Sequence, residues 1–310
     1  MEIFNQDEGA LGVPAIEQVY GKSVARAAKK RRLQMSGGDR QPGWGSYVFL
    51  VLLILVFVFP LYYAVSIASQ STPSTQYGVQ ALIPGDGLMR NLTTAFHDID
   101  FWQALGGTTF VAVVTSISTV LFSTMAGFAF SKLRFRGRNA LLTAVIATMT
   151  IPQQLSVVPL YLLATKAGLY GSLWAVIIPA LVGAFGVFWM TQYLTDALPY
   201  ELIEAARVDG ASMLRTFWSV ALPAARPAAA MLFLFTFIAQ WTNYFWPMLV
   251  LGPNKNSMLT VAASALKGAH FTDYTLVMSG VLLTTAPLLV LFVFAGKQLV
   301  SGIMAGAVKG

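Results

Sequence analysis

Of the 310 residues none is cysteine, two are histidine, and only 11% carry a charged side chain. Without thiols, neither a disulfide scaffold nor a thiolate metal site can form. His97 and His270 stand far apart in the chain, too sparse to assemble a metal cluster. A chain that is 56% hydrophobic, with mean hydropathy +0.65, departs from soluble domains, and its apolar runs of about 20 residues have the length needed to cross a bilayer. The formal net charge of +7 can signal nucleic-acid binding. In a membrane chain it reads topologically instead, because Lys and Arg gather on the cytoplasmic side, and no nucleic-acid partner is expected.

The apolar runs predict six spans, near 47–69, 108–131, 140–164, 173–194, 227–251 and 276–295, and none of them contains Asp, Glu, Lys, Arg or His. Proton-coupled and many ion-coupled carriers need such groups at depth. A self-sufficient secondary transporter using backbone and amide ligands for sodium stays open as an alternative. A membrane enzyme would need a catalytic polar group at depth, which these spans do not offer. Gly21-Lys22-Ser23 resembles the end of a phosphate-binding loop, but Ile16 stands where the first glycine belongs and no apolar strand precedes it. Active transport by this chain would therefore draw its energy from another polypeptide.

Residues 1–45 form a polar tail carrying Lys22, Arg26, Lys29, Lys30, Arg31, Arg32 and Arg40. The apolar run that follows, flanked by Trp44 and Tyr47 and by Tyr62 and Tyr63, is too long for a signal peptide and suits a span with aromatic belts. The tail cations serve topology, and the same group can lie on anionic lipid headgroups. With the N-terminus inside, 16 of the 20 Lys and Arg residues fall on the cytoplasmic side, among them Lys132, Arg134, Arg136, Arg138, Arg207, Arg215 and Arg226. Only Arg90, Lys166, Lys255 and Lys267 stay outside, an imbalance that fixes the orientation.

Pro152, Pro159, Pro179, Pro247 and Pro287 interrupt the later spans, and each frees a carbonyl and can kink its helix. Gln153 and Gln154 lie beside the first of these. Gln240, Trp241, Asn243 and Tyr244, with Trp246, alternate amide and aromatic groups as sugar-binding surfaces do. Two readings stand for this set: a polar path for a substrate, or kinks that shape the bundle with aromatics anchored at the interface. The external loop 70–107 contains Phe96, Phe101 and Trp102, which predict a helix on the membrane face or against a partner. Its Asn91-Leu92-Thr93 triplet fits a glycosylation pattern that arises often by chance.

The most polar long segment between two strongly apolar ones is Tyr200–Pro223. Glu201, Glu204, Arg207 and Asp209 recur at helical spacing, Gly210 predicts a helix end, and a second helix is expected from about Ser212 to Ala221, stopped by Pro223. Met213, Leu214, Phe217 and Trp218 give that second helix an apolar surface outside the spans, of the kind that marks an interface.

Glu204-Ala205-Ala206, then Gly210, then Val220-Ala221-Leu222-Pro223, at fixed spacing, resembles the EAA loop of the membrane subunits of binding-protein-dependent ABC importers. Valine replaces the usual isoleucine at 220. Pro199, the run from Ala206 to Ser212, Phe135-Arg136-Gly137-Arg138, Ile151-Pro152, Pro159-Leu160-Tyr161, Trp241 to Pro247 and the ending Gly302 to Gly310 are similar, in the same order, to maltose-type carbohydrate permeases. The resemblance covers residues 45–310.

It implies a type I ABC importer permease fold, an all-α integral membrane protein of six transmembrane helices with a cytoplasmic helix-Gly-helix coupling segment. The implied organisation is a basic tail (1–45), a permease domain (46–300) containing the coupling loop (199–223), and a C-terminal tail (301–310), with both termini inside a bacterial or archaeal cytoplasmic membrane. No catalytic residue, metal or cofactor is implied in this chain, ATP and Mg being held by a partner ATPase. The implied partners are a second, usually different permease subunit, two ATPase subunits, membrane lipid and an extracytoplasmic sugar-binding protein, with a di- or oligosaccharide as cargo. Within the loop the resemblance gives Glu204 a charge contact with the ATPase and Gly210 the turn. Phe217 and Trp218 would form the apolar seat, Ala205, Ala206, Asp209, Leu222 and Pro223 completing the docking motif. Gly306 and Lys309 would carry the tail to the ATPase dimer.

Overall fold

The computed structural model describes residues 43–71, 82–252, 257–267 and 273–307; the tail cations Lys22 to Arg40, and Lys255, His270 and Lys309, lie outside the described residues. Among the described residues the regular structure is helical throughout. The chain divides into two compact units, Met1–Pro60 and Leu61–Gly310. Helix α1 (Trp44–Ala68) supplies the described part of the first unit and, beyond Pro60, the start of the second. In order there follow α2 (Leu88–Asp98), α3 (Phe101–Lys132), α4 (Arg138–Thr148), a 3-10 turn at Gln153–Ser156, α5 (Val157–Lys166), α6 (Trp174–Ile177) and α7 (Ala184–Ala197). The remainder is α8 (Tyr200–Val208), α9 (Met213–Ala224), α10 (Arg226–Trp241), α11 (Phe245–Leu251), α12 (Leu259–Ala265) and α13 (Tyr274–Ala307).

Among the described residues four helical stretches, Trp44–Ala68, Phe101–Lys132, Trp174–Ala197 and Tyr274–Phe294, are long and apolar enough to cross a membrane, and up to six if each of two bent pairs counts as one span. One bend and one break correct two expectations. The predicted span 140–164 is not a single rod: α4 ends at Thr148, and the chain turns by 92° before α5. Pro152 has no N–H to give and disfavours the helical conformation at Ile151 before it, which favours a break here. The predicted span 227–251 likewise stops at Trp241 and restarts at Phe245. By contrast, Pro287 lies inside α13 without ending it.

The predicted stop at Ala221 is also displaced. The helix continues through Pro223 to Ala224 by way of a wider π turn at Phe217–Ala221, and the chain then bends by 78° into α10. A wide turn suits this place, because a proline withholds the N–H that the carbonyl four residues earlier would otherwise accept.

Helix α3 is the axis of the second unit and packs along α7 and α10. Small residues allow the approach: a Cβ on Gly127 would sit 2.8 Å from the backbone of Met190, and one on Gly186 2.4 Å from the Ser123 hydroxyl. Close backbone contact through Gly, Ser and Thr is what helix pairs use in lipid, where burial of apolar surface gives no drive toward association. Thr115 and Thr124 donate their hydroxyls back to carbonyls of their own helix, at 2.6 Å in both cases. These buried polar groups therefore need no water.

Candidate coupling segment and substrate cleft

Helices α8 and α9 form a compact pair joined by Asp209, Gly210, Ala211 and Ser212. Gly210 has φ +73°, the left-handed conformation that closes α8, and Gly210 and Ala211 donate backbone N–H groups to the Arg207 and Ala206 carbonyls. Ser212 caps α9, its hydroxyl accepting the Arg215 N–H at 3.3 Å. Both helices have an inner face. Ile203 is fully buried, and Phe217, 2% exposed, joins Phe128 of α3 and Leu194 and Met190 of α7 in one apolar core. The Phe128 and Phe217 rings lie 6.0 Å apart.

The outer face carries the charge. Glu204, Ala205, Arg207, Asp209 and Gly210 are exposed, Ala206, Leu222 and Pro223 are partly so, and Trp218 stands 52% exposed beside Leu214. This corrects one expectation: Phe217 cannot belong to an apolar seat for a partner, because its ring is spent on the chain's own core. An aromatic pair at i and i+1 points in different directions on any helix, and the sequence does not say which of the two turns inward.

A cleft of 650 Å³ opens between α3, the 3-10 turn, α7 and α10. Gln153, Gln154, Gln240, Asn243 and Trp246 all line it, with Thr119 and Thr236 contributing hydroxyls. Among the described residues no ionisable side chain lines it, and its volume is that of sites for small organic ligands, about 300–1,000 Å³. The buried Oε1 of Gln240 has no hydrogen-bond partner among the described residues. The break between α10 and α11 is held by the Thr260 hydroxyl, which donates to the Asn243 carbonyl at 2.8 Å, and by the Trp246 indole, which donates to the Ala175 carbonyl at 3.0 Å.

Two of the predicted path residues are elsewhere. Trp241 is buried, its ring stacked on Phe237 at 5.5 Å and its indole N–H given to the Thr284 carbonyl at 3.1 Å, so it is a core residue. Tyr244 is exposed outside the cleft. Gly306 lies in the last turn of α13. Among the described residues no group of His, Cys, Asp and Glu is placed to hold a metal ion.

Two residues do structural work that pattern does not announce, Asn91 standing out in the sequence only through its Asn91-Leu92-Thr93 triplet. Asn91, buried, donates its amide to the carbonyls of Ala68 at 2.9 Å and Gln70 at 2.8 Å, tying the end of α1 to α2. Thr108, also buried, accepts the Leu259 N–H at 2.8 Å and so fixes the start of α12 against α3. Both are single polar residues in apolar surroundings, and no local motif announces a partner 20 or more positions away.

The sequence model of one family, described as "Binding-protein-dependent transport system inner membrane component", matches residues 119–304, which include the coupling pair and the cleft. The chain belongs to this family. Among its curated relatives, the lactose transport system permease protein LacG of Rhizobium radiobacter is 31% identical over 274 residues, covering 87% of this chain and 97% of LacG. The arabinooligosaccharides transport system permease protein AraQ of Halalkalibacterium halodurans is 29% identical over 272 residues, with 86% and 96% covered. An sn-glycerol-3-phosphate transport system permease protein, UgpE of Shigella flexneri, is 27% identical over 267 residues, with 84% and 95% covered. A crystal structure of a bacterial ABC transporter involved in the import of the acidic polysaccharide alginate superimposes with a TM-score of 0.68 at 26% identity, covering 82% of this chain and 95% of that one. This inner-membrane component is thus a membrane-embedded transport subunit with the architecture of an ABC importer permease.

Proposed function

We propose that the chain is a pore-forming permease subunit of an ATP-driven importer of sugars, di- or oligosaccharides, and that a separate ATPase grips it through α8 and α9. The observation that carries this reading is the helix pair itself: charged and exposed on one face, rooted in the core of α3 and α7 by Ile203 and Phe217 on the other. A surface built in this way can receive force and pass it inward. Glu204 supplies a charge contact, Gly210 the turn, and Leu214 and Trp218 the apolar seat. ATP-driven closure of the ATPase pair moves the two helices as a body and switches the pore between outward and inward access. A second permease subunit completes the pore, and an external binding protein delivers the sugar. ATP and Mg belong to the ATPase, and both termini of this chain face the cytoplasm.

The cleft is the part of the path this chain contributes. Gln153, Gln154, Gln240 and Asn243 offer amide donors and acceptors to hydroxyl groups, and Trp246 and Phe245 give apolar walls. Affinity capture of this chain from its native membrane is expected to bring an ATPase with it. Uptake of labelled lactose and arabinotriose is expected to persist when ionophores dissipate the proton and sodium gradients. Uptake that stops with the gradients, in a chain that carries no ATPase, would establish the secondary-transporter reading instead.

A further inference from the structure

Lys132 is a cation with no part in the site described above, and it is 7% exposed. It ends α3, and its ammonium donates to the Thr195 carbonyl in the last turn of α7 at 3.1 Å. The carbonyls at a helix C-terminus have no partners within the helix and favour a positive charge. Asp196, next in the chain, and Glu201, in the first turn of α8, are the anionic groups that act on its charge. The Leu194, Leu198 and Ile203 side chains beneath are fully buried, so α7 and α8 already share one apolar core with α3. Burying an ammonium is costly unless it is matched by such groups. A leucine would fill the same space at lower cost, and stability alone does not account for the residue.

We infer that Lys132 is a positioning residue, whose ammonium fastens the α7–α8 corner to the cytoplasmic end of α3 so that movement of the coupling pair reaches the helix that lines the cleft. Three contacts on one line support this: Gly186 against Ser123, Gly127 against Met190, and Lys132 on Thr195 below them. The first two hold α3 to α7 along their lengths. Lys132 holds the end where α8 joins, so a load applied to α8 bears on the α3–α7 seam at this polar contact. The inference that this fastening serves transport rests on the coupling role proposed for α8 and α9; the fastening itself does not.

Because the chain has no cysteine, spin labels can be placed at will. Val208→Cys on α8 and Ile117→Cys on α3 are both at exposed positions, and their separation is read by pulsed dipolar spectroscopy in the purified importer complex, with and without AMP-PNP. With Lys132 present the distribution is expected to be single and unmoved by nucleotide, and Lys132→Arg is expected to preserve it. In Lys132→Met it is expected to broaden and to shift when AMP-PNP is added, while ATP hydrolysis persists. If Lys132→Met fails to reach the membrane, Glu201→Gln, at an exposed position, gives the same readout with a smaller shift. A distribution in Lys132→Met, or in Glu201→Gln where that variant is used, identical to that of the parent under both conditions overturns the inference. Failure of the coupling reading is distinct: a Gly210→Pro chain that still carries an active ATPase and transports normally removes that reading and leaves the label distances unaffected.

Discussion

At the scale of single residues, the coupling pair makes the sharpest predictions because its inner and outer faces differ so completely. Gly210 holds φ at +73°, a value the proline ring cannot adopt. Gly210→Pro is therefore expected to distort the α8–α9 turn, leave the chain in the membrane, and abolish both ATPase capture and uptake. Glu204→Lys reverses one exposed charge without touching the core, and the same two assays are expected to fall while the amount of chain in the membrane does not. Asn91→Ala tests a different kind of residue. It removes a buried amide and leaves two carbonyls short of a donor, which should cost about 1–3 kcal/mol and appear as a lower unfolding temperature of the purified protein with no change in ATPase capture. In the cleft, Gln240→Ala and Asn243→Ala should weaken the apparent affinity for sugar by about tenfold, the equivalent of one polar contact, with assembly intact. Normal uptake by both variants would make those amides structural.

At the scale of elements, what was legible in the sequence depended on how local the cause was. Helix existence followed from apolar runs, and the α8–α9 turn from one glycine after a short amphipathic helix, because both are written in consecutive residues. The breaks were announced by proline without their size: Pro152 accompanies a 92° bend, whereas Pro287 leaves α13 continuous. That difference lies in what surrounds each proline, and spacing does not record it. The cleft was half legible. Gln153, Gln154, Gln240, Asn243 and Trp246 converge as their chemistry suggests, while Trp241, between two of them, turns the other way to bond Thr284. Periodicity alone separates those faces only when the helix boundary is known, and here α10 ends within the motif. The α3–α7 seam was not legible at all, since Gly127 and Gly186 have meaning only against each other's helix. Gly127→Leu forces a side chain into Met190 and should destabilise the protein by about 1–3 kcal/mol or more, measured as loss of the monodisperse species after detergent extraction.

At the scale of the molecule, the open issue is whether the bent pair α4 and α5 crosses the membrane or returns to the side it left. Lengths do not decide it, because neither half reaches the ~30 Å of the hydrocarbon core at 1.5 Å per residue. Charge does. Lys132, Arg134, Arg136 and Arg138 cluster where α3 gives way to α4, and positive loops favour the cytoplasm. If α4 and α5 returned there, the next span, ending at Ala197, would carry α8 and α9 outside, with Arg207, Arg215 and Arg226 in the wrong compartment and the coupling pair out of reach of any ATPase. If they cross, all seven cations share one side and Lys166, at the end of α5, faces out. Lys166→Cys in the cysteine-free chain is accordingly expected to react with a membrane-impermeant maleimide in intact cells as fully as after permeabilisation, and Val208→Cys to react only after permeabilisation. Protection of Lys166→Cys in intact cells would make the bent pair re-entrant, reverse the side assigned to α8 and α9, and leave the exposed charges of Glu204 and Asp209 without the partner for which their arrangement is suited.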